Sequence, residues 1–192
     1  MERRSYADLI KEVSDQVEEA FPWEILDEIE SGAEPLLLDI RCPHEFEAAH
    51  IAGSINVPRG ILELACDYGY EETVPELVEA RDLRVLVICR SGNRSILAAH
   101  TLRRMGFKRP VSLKTGLRGW NDYEQPLRNG AGKTLTLDEA DEYFLSRVAP
   151  EQLGPIGSKV SAQGRTARPR QPVFSPYHQG PAHQNPCGEL RR

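Results

Sequence analysis

Apolar positions along the first 150 residues recur in two rhythms, one helical and one extended. Leu9, Ile10, Val13 and Val17 sit at spacings of three and four, which predicts a helix over residues 6–16 packed on the outside of a domain. Val17 to Phe21 reads as a short strand. Pro22, tolerated in a first helical turn, then opens an amphipathic helix carrying Ile25, Leu26 and Ile29 that stops at Ser31-Gly32. The unbroken apolar run from Pro35 to Arg41 suits a strand covered on both faces. Residues 51–58 read as a loop and short strand closed by Pro58. A helical or irregular connection follows through Cys66, Tyr68 and Tyr70, and Val74 to Ala80 forms a further helix. Residues 84–88 make a second buried strand, ending on Cys89. Ile96, Ala99, Leu102 and Met105 mark a helix terminated by Gly106. Pro110 to Leu113 is the last strand, and Thr115 to Trp120 starts a closing helix. Strands alternating with helices imply an α/β fold built on a parallel sheet.

Beyond this the pattern loosens. Residues 125–133 have linker composition. Thr136-Leu-Asp-Glu139 is a capping box for a short helix running to about Val148, with Leu137, Ala140, Phe144 and Leu145 as its apolar contacts. From Pro150 onward Pro, Gly, Gln, Ser and Arg dominate and no period survives, so a disordered basic tail is expected over residues 151–192. The organisation is thus a helix at 1–16, a domain at 17–123, a linker and short helix at 124–150, and the tail.

Composition narrows the possibilities. Of 192 residues 40% are hydrophobic, enough for one core, and no stretch approaches the ~18 consecutive apolar residues of a membrane span. Arg3-Arg4 is followed by charged residues rather than an apolar stretch, which argues against a secretion signal and for a cytoplasmic protein. The net charge of −5 divides into +5 from residue 157 onward and −10 before it. An acidic body argues against nucleic-acid binding by the folded part. Cys42, Cys66, Cys89 and Cys187 are spaced unevenly and suit free thiols better than a disulfide framework. Cys42-Pro43-His44 with His50 fits no familiar zinc spacing, so no metal is expected.

The richest chemistry lies in Cys89-Arg-Ser-Gly-Asn-Arg-Ser95, where a buried strand ends on a thiol and a short polar loop opens a helix. Backbone N–H groups of the loop and the positive end of the helix would stabilise an anion on that sulfur. A cysteine serving only as a small core residue has no need of two arginines, a serine, a glycine and an asparagine after it.

Several separated motifs now carry a resemblance. Asp39-Ile-Arg41, Glu45-Phe46 and His50-Ile-Ala-Gly53-Ser-Ile-Asn56-Val-Pro58 resemble the N-terminal signature of the rhodanese family of sulfurtransferases. Cys89-Arg-Ser-Gly-Asn-Arg94 resembles its active-site loop, and Gly116-Leu-Arg-Gly-Trp120 its C-terminal signature. Over residues ~17–123 the order of these motifs is similar to that of a single rhodanese domain. Ala49 stands where the family usually has Gly, and Thr115 replaces the first of two common glycines. The resemblance implies a three-layer fold with a central, mostly parallel five-stranded sheet flanked by helices.

It also implies a two-step sulfur transfer. Cys89 takes the outer sulfur of a small anionic donor such as thiosulfate, holds it as a persulfide and passes it to a thiol or cyanide acceptor, with no cofactor. A protein sulfur carrier is a further candidate partner, in which case the chain is a relay module and the tail and the 136–148 helix are docking elements. Arg90 and Arg94 are the candidates for binding the donor, because a guanidinium fork matches oxyanions. Ser91 and Ser95 offer hydroxyls, Gly92 permits the tight curve, and Asn93 is either a turn former or a binding group. Asp39 and Arg41 are read as braces of neighbouring loops, His50 as the anchor of a turn, and Trp120 as a core residue. Phosphatases of this fold place arginine after five residues rather than four, and relatives using mercaptopyruvate carry Gly directly after the cysteine. Both features point away from those reactions.

Overall fold

A computed structural model describes residues 3–153; most of the expected tail lies outside them. The chain up to Arg147 is one compact unit. Its first helix, α1 (Tyr6–Ser14), is capped by Ser5, whose hydroxyl accepts from the Asp8 amide while the Asp8 carboxylate accepts from the Ser5 amide. Then follow β1 (Glu18–Ala20), α2 (Pro22–Glu30), β2 (Leu36–Asp39), α3 (Pro43–Ala48), β3 (Ile55–Asn56), α4 (Leu62–Ala65), α5 (Pro75–Glu79), β4 (Arg84–Ile88), α6 (Asn93–Arg104), β5 (Arg109–Leu113), α7 (Gly116–Asp122) and α8 (Leu137–Phe144).

The five strands form one sheet in the order β1-β5-β4-β2-β3, and every pairing is parallel. Side chains of a strand alternate between faces, and β4 at the centre shows the consequence. Val85 and Val87 join one apolar cluster with Leu62 of α4, Leu77 of α5, and Ile96, Ala99 and Leu102 of α6. Ile10 and Val13 of α1 pack on its edge. Leu86 and Ile88 join the other cluster with Ile25 of α2, Leu117 and Trp120 of α7, and Ala140 and Phe144 of α8. Helices therefore cover both faces, as the continuous apolar strands require.

Differences from the expectation are local. Glu45-Phe46 lies in a short helix, α3, started by Pro43, where no helix was anticipated. Residues 125–133, despite their linker composition, are pinned. Leu127 is buried, the Arg128 and His50 backbones exchange hydrogen bonds of 2.7 and 2.8 Å, and the Trp120 indole donates to the Pro126 carbonyl. The last helix stops at Phe144 because Leu145 turns extended. Only Ala140 and Phe144 of its four expected contacts are buried; Leu137, the first residue of the helix, and Leu145, just past its last, face solvent. Beyond Arg147, residues Pro150–Leu153 form a single 3₁₀ turn.

Candidate functional site

The alternation of β4 decides where Cys89 points. As the residue after Ile88 it continues the row of Val85 and Val87, so its side chain enters the cluster beneath the start of α6 and is fully buried. The position lies at the carboxyl end of the central strand. There Asp39 pairs with Ile88 and the Ile40 amide donates to the Ile88 carbonyl at 3.0 Å, a region where open α/β sheets bind ligands.

Two backbone amides aim at the sulfur. The Gly92 N–H donates to Cys89 Sγ at 3.2 Å and the Ser95 N–H at 3.4 Å, while the thiol proton reaches Ser95 Oγ at 3.4 Å. Gly92 is the N-cap of the twelve-residue α6 and Ser95 lies in its first turn, so the helix presents its positive end to the sulfur. Ser95 is buried. Its hydroxyl donates to the Gly92 carbonyl at 2.7 Å and meets Ser112 Oγ at 2.8 Å, which ties the loop to β5.

A second turn clamps the loop from outside. The amides of Leu117 and Arg118, in the first turn of α7, donate to the carbonyls of Cys89 and Arg90 at 2.9 and 3.0 Å. The backbones approach so closely that only glycine fits at two places. A Cβ on Gly92, whose φ is +89°, would lie 2.9 Å from the Thr115 nitrogen. A Cβ on Gly116, at φ +60°, would lie 2.5 Å from the Cys89 carbonyl oxygen and 2.6 Å from the Ser91 nitrogen. Thr115 itself adopts φ +67°, a conformation that its branched side chain disfavours and the family's usual glycine would accept.

The side chains proposed for donor binding separate. Ser91 and Asn93 are exposed at the rim. Arg94 forks onto Glu45 of α3 at 3.0 and 2.9 Å. These hydrogen bonds, working against partial burial and aided by the negative charges of Glu45, Cys89 and Cys42, hold its guanidinium more firmly protonated than usual. Burial pushes the Glu45 carboxyl up, but the hydrogen bonds and charge of Arg94, together with the Cys42 amide, more than offset this and leave it below its ordinary range. Arg90 turns the other way. Its Nη2 donates to the Tyr143 and Leu145 carbonyls at the end of α8, at 3.3 and 3.2 Å. Arg41 is wholly buried. Its Nε and Nη2 donate to the Asp39 carboxylate at 2.6–3.0 Å, and Nη2 also reaches the Ala49 carbonyl, so the pair joins the end of β2 to the chain before His50. The His50 ring stacks on Phe46 at 4.1 Å with Nδ1 2.9 Å from the Phe46 carbonyl.

Four participants were not singled out from the residues. Glu45 carries a signal, since it lies three positions after Cys42 at a Pro-started helix, where a carboxylate caps the first turn. Gly116 appeared only as part of a motif. Tyr6 opens α1 within electrostatic reach of the site: partial burial and the negative sulfur of Cys89 push its phenol up, and Arg94 opposes them. Tyr143 has no local signal at all. Its hydroxyl donates to the Glu45 carbonyl at 3.3 Å and accepts from Arg41 at 3.4 Å, contacts across some hundred residues.

Cys66 is also buried, and burial pushes its thiol up to about 12, so it stays neutral and inert. Among the described residues no group of three or more His, Cys, Asp or Glu side chains is placed to hold a metal, and no helix is long and apolar enough to cross a membrane. What the site offers is a buried thiol at a strand end met by two main-chain amides, beside one guanidinium.

Residues 22–123 match the rhodanese-like domain family. The chain is 36% identical over 84 residues to the putative sulfur carrier protein YrkF of Bacillus subtilis, covering 44% of this chain and 40% of that protein. It is 38% identical over 96 residues to the adenylyltransferase and sulfurtransferase MOCS3 of Oryza sativa, covering 48% and 21%. The chain thus spans two fifths or less of the length of these relatives. Among solved structures, it resembles a protein of unknown function, described as a possible tyrosine phosphatase, from Rhodopseudomonas palustris. That similarity has a TM-score of 0.61 at 29% identity over 67% of this chain and 97% of the other. A thiosulfate sulfurtransferase from Pseudomonas aeruginosa aligns with a TM-score of 0.50 at 26% identity, over 69% of this chain and 25% of that one.

Proposed function

The chain belongs to the rhodanese-like domain family, and from that premise we propose that it is a sulfurtransferase whose Cys89 carries a sulfane sulfur as a persulfide. The observation that carries this reading is the pair of amides of Gly92 and Ser95 directed at Sγ. In the first half-reaction the Cys89 thiolate attacks the outer sulfur of an anionic donor such as thiosulfate. The donor's S–S bond breaks and the leaving group, sulfite in that case, departs with the bonding pair. In the second, a thiol or cyanide removes the sulfur and returns the thiolate. Amides arranged around one point stabilise the negative sulfur in both states without general acid–base help. The 0.2 Å difference between the two N–H···S distances leaves the sulfur shared between them rather than assigned to one.

A relay in which the acceptor is a protein sulfur carrier is favoured by the relatives described as a sulfur carrier and as an adenylyltransferase and sulfurtransferase. A phosphatase reading, raised by the description of the Rhodopseudomonas structure, fits less well. The sixth position after Cys89 holds the buried Ser95, bonded to the sulfur and to Ser112, where that chemistry places arginine.

The test is intact mass before and after donor treatment, where a gain of about 32 Da on the Cys89 peptide is expected. Cys89→Ser, which keeps the side-chain size close to that of the thiol, should lose the gain and all transfer while melting like the native chain. Transfer surviving in that variant refutes the reading.

A further inference from the structure

The residue directly after the nucleophile, Arg90, would be expected to face the donor, and it does not. Its Nη2 donates to the Tyr143 and Leu145 carbonyls, and its guanidinium carbon lies 5.4 and 5.3 Å from the centres of the Tyr143 and Phe144 rings. These carbonyls are among the last of α8, the negative end of a helix and one that leaves backbone acceptors unpaired. Helix α8 has Asp138, Glu139, Asp141 and Glu142 but no basic residue in its last turn. Arg90 supplies the missing cation from a different part of the chain. The same helix end reaches the other side of the site, where the Tyr143 hydroxyl donates to the Glu45 carbonyl, and Glu45 holds Arg94. Helix α8 lies outside the matched residues 22–123.

We propose that α8 sets the donor class: by taking Arg90 as its C-terminal cap it withdraws one guanidinium from the mouth of the sulfur site. This disfavours a dianionic inorganic donor relative to a thiol persulfide bearing a single negative charge. The inference rests on the sulfur-transfer reading above and refines its substrate. With such a donor, R–S–S⁻, the Cys89 thiolate attacks the terminal sulfur, the S–S bond of the donor breaks, and RS⁻ leaves with the electron pair. The transferred sulfur keeps its negative charge as Cys89–S–S⁻, and no outside oxidant or reductant takes part. The Arg94 charge, already shared with Glu45, is sufficient for one negative charge and poorly matched to two.

The experiment compares thiosulfate with the persulfide of 2-mercaptoethanol as donors. In the native chain kcat/KM should favour the persulfide. Tyr143→Ala removes one ring from the Arg90 perch. It should lower the ratio of KM for thiosulfate to KM for the persulfide about fivefold, the scale of one exposed charge interaction. Adding Arg90→Ala should cancel that gain. If Tyr143→Ala does not fold, hydrogen exchange of Arg90→Ala alone decides the contact, because loss of the cap should speed exchange over residues 142–147 and nowhere else. A native preference for thiosulfate, an unmoved KM ratio, or unchanged exchange in α8 overturns the proposal. Absence of any sulfur on Cys89 with both donors overturns the sulfur-transfer reading itself, which separates the two failures.

Discussion

Gly116→Ala places one methyl group where the cysteine loop already is. The new Cβ would stand 2.5 Å from the Cys89 carbonyl oxygen, 2.6 Å from the Ser91 nitrogen and 2.7 Å from the Arg90 carbonyl carbon, against ordinary contacts that begin at 3.4 Å. All three neighbours are backbone atoms, so no side chain can swing aside and the loop must move by nearly 1 Å. Two costs result. Alanine at φ +60° costs about 1–2 kcal/mol, and overpacking costs about 1–3 kcal/mol more. For a chain of this length the sum corresponds to a fall in Tm on the order of 10 °C. Function should suffer more than stability. The amides of Gly92 and Ser95 sit 3.2 and 3.4 Å from Sγ, and a shift of that size breaks at least one of them. Losing an oxyanion-type donor of this kind slows transfer on the order of 100-fold. Gly53→Ala isolates the first cost: Gly53 has φ +81°, but nothing lies within 4 Å of its would-be Cβ. Calorimetry and sulfur-transfer assays on the two variants test the argument. If Gly116→Ala is no less stable than Gly53→Ala and transfers sulfur at the native rate, the close approach of the two turns is not what shapes the loop.

Thr115→Gly relieves a β-branched residue from φ +67° and should stabilise the chain by about 0.5–1 kcal/mol after the added flexibility of glycine is counted; a lower Tm refutes this. Glu45 has its carboxyl held below the ordinary range in the folded chain, so its pairing with Arg94 contributes stability above the unfolded value, near about 4.3, and loses it as the pH falls through the folded one. The Tm gap between the native chain and Glu45→Gln should therefore be full at neutral pH and close on acidification, and a gap that does not vary with pH contradicts the ion pair. Native-state alkylation at pH 8 should label the exposed Cys42 and spare Cys66, whose thiol burial pushes up to about 12; rapid labelling of Cys66 would mean that its cluster opens.

Much of this arrangement could be read from one-dimensional pattern because it depends on neighbours in the chain. The apolar runs at 36–38 and 85–88 announced covered strands, Pro22 marked a helix start, and Thr136 heads a helix through contacts three residues away. The position of Cys89 at the end of a buried strand followed from the same pattern. What escaped are partnerships made through space. The sequence around Arg90 suggests a donor-binding group, yet its partners are 53 and 55 residues distant, on a helix whose short acidic sequence says nothing of them. Arg94 and Glu45 are 49 apart. The linker-like composition of residues 125–133 concealed Leu127, a lone apolar residue with no period to reveal it. Leu137 and Leu145 were misplaced because the pattern does not show where this short helix begins and ends, and both fall at its limits.

The seven letters from Cys89 to Ser95 are not a transferable unit. Their carbonyls are held by amides that belong to Leu117 and Arg118, and their curvature has room only because residue 116 lacks a side chain. A designer who copied the heptad onto a foreign strand–helix junction would import the nucleophile but leave its mould behind. The smallest graft that keeps both parts must include the following strand and the opening of the helix after it.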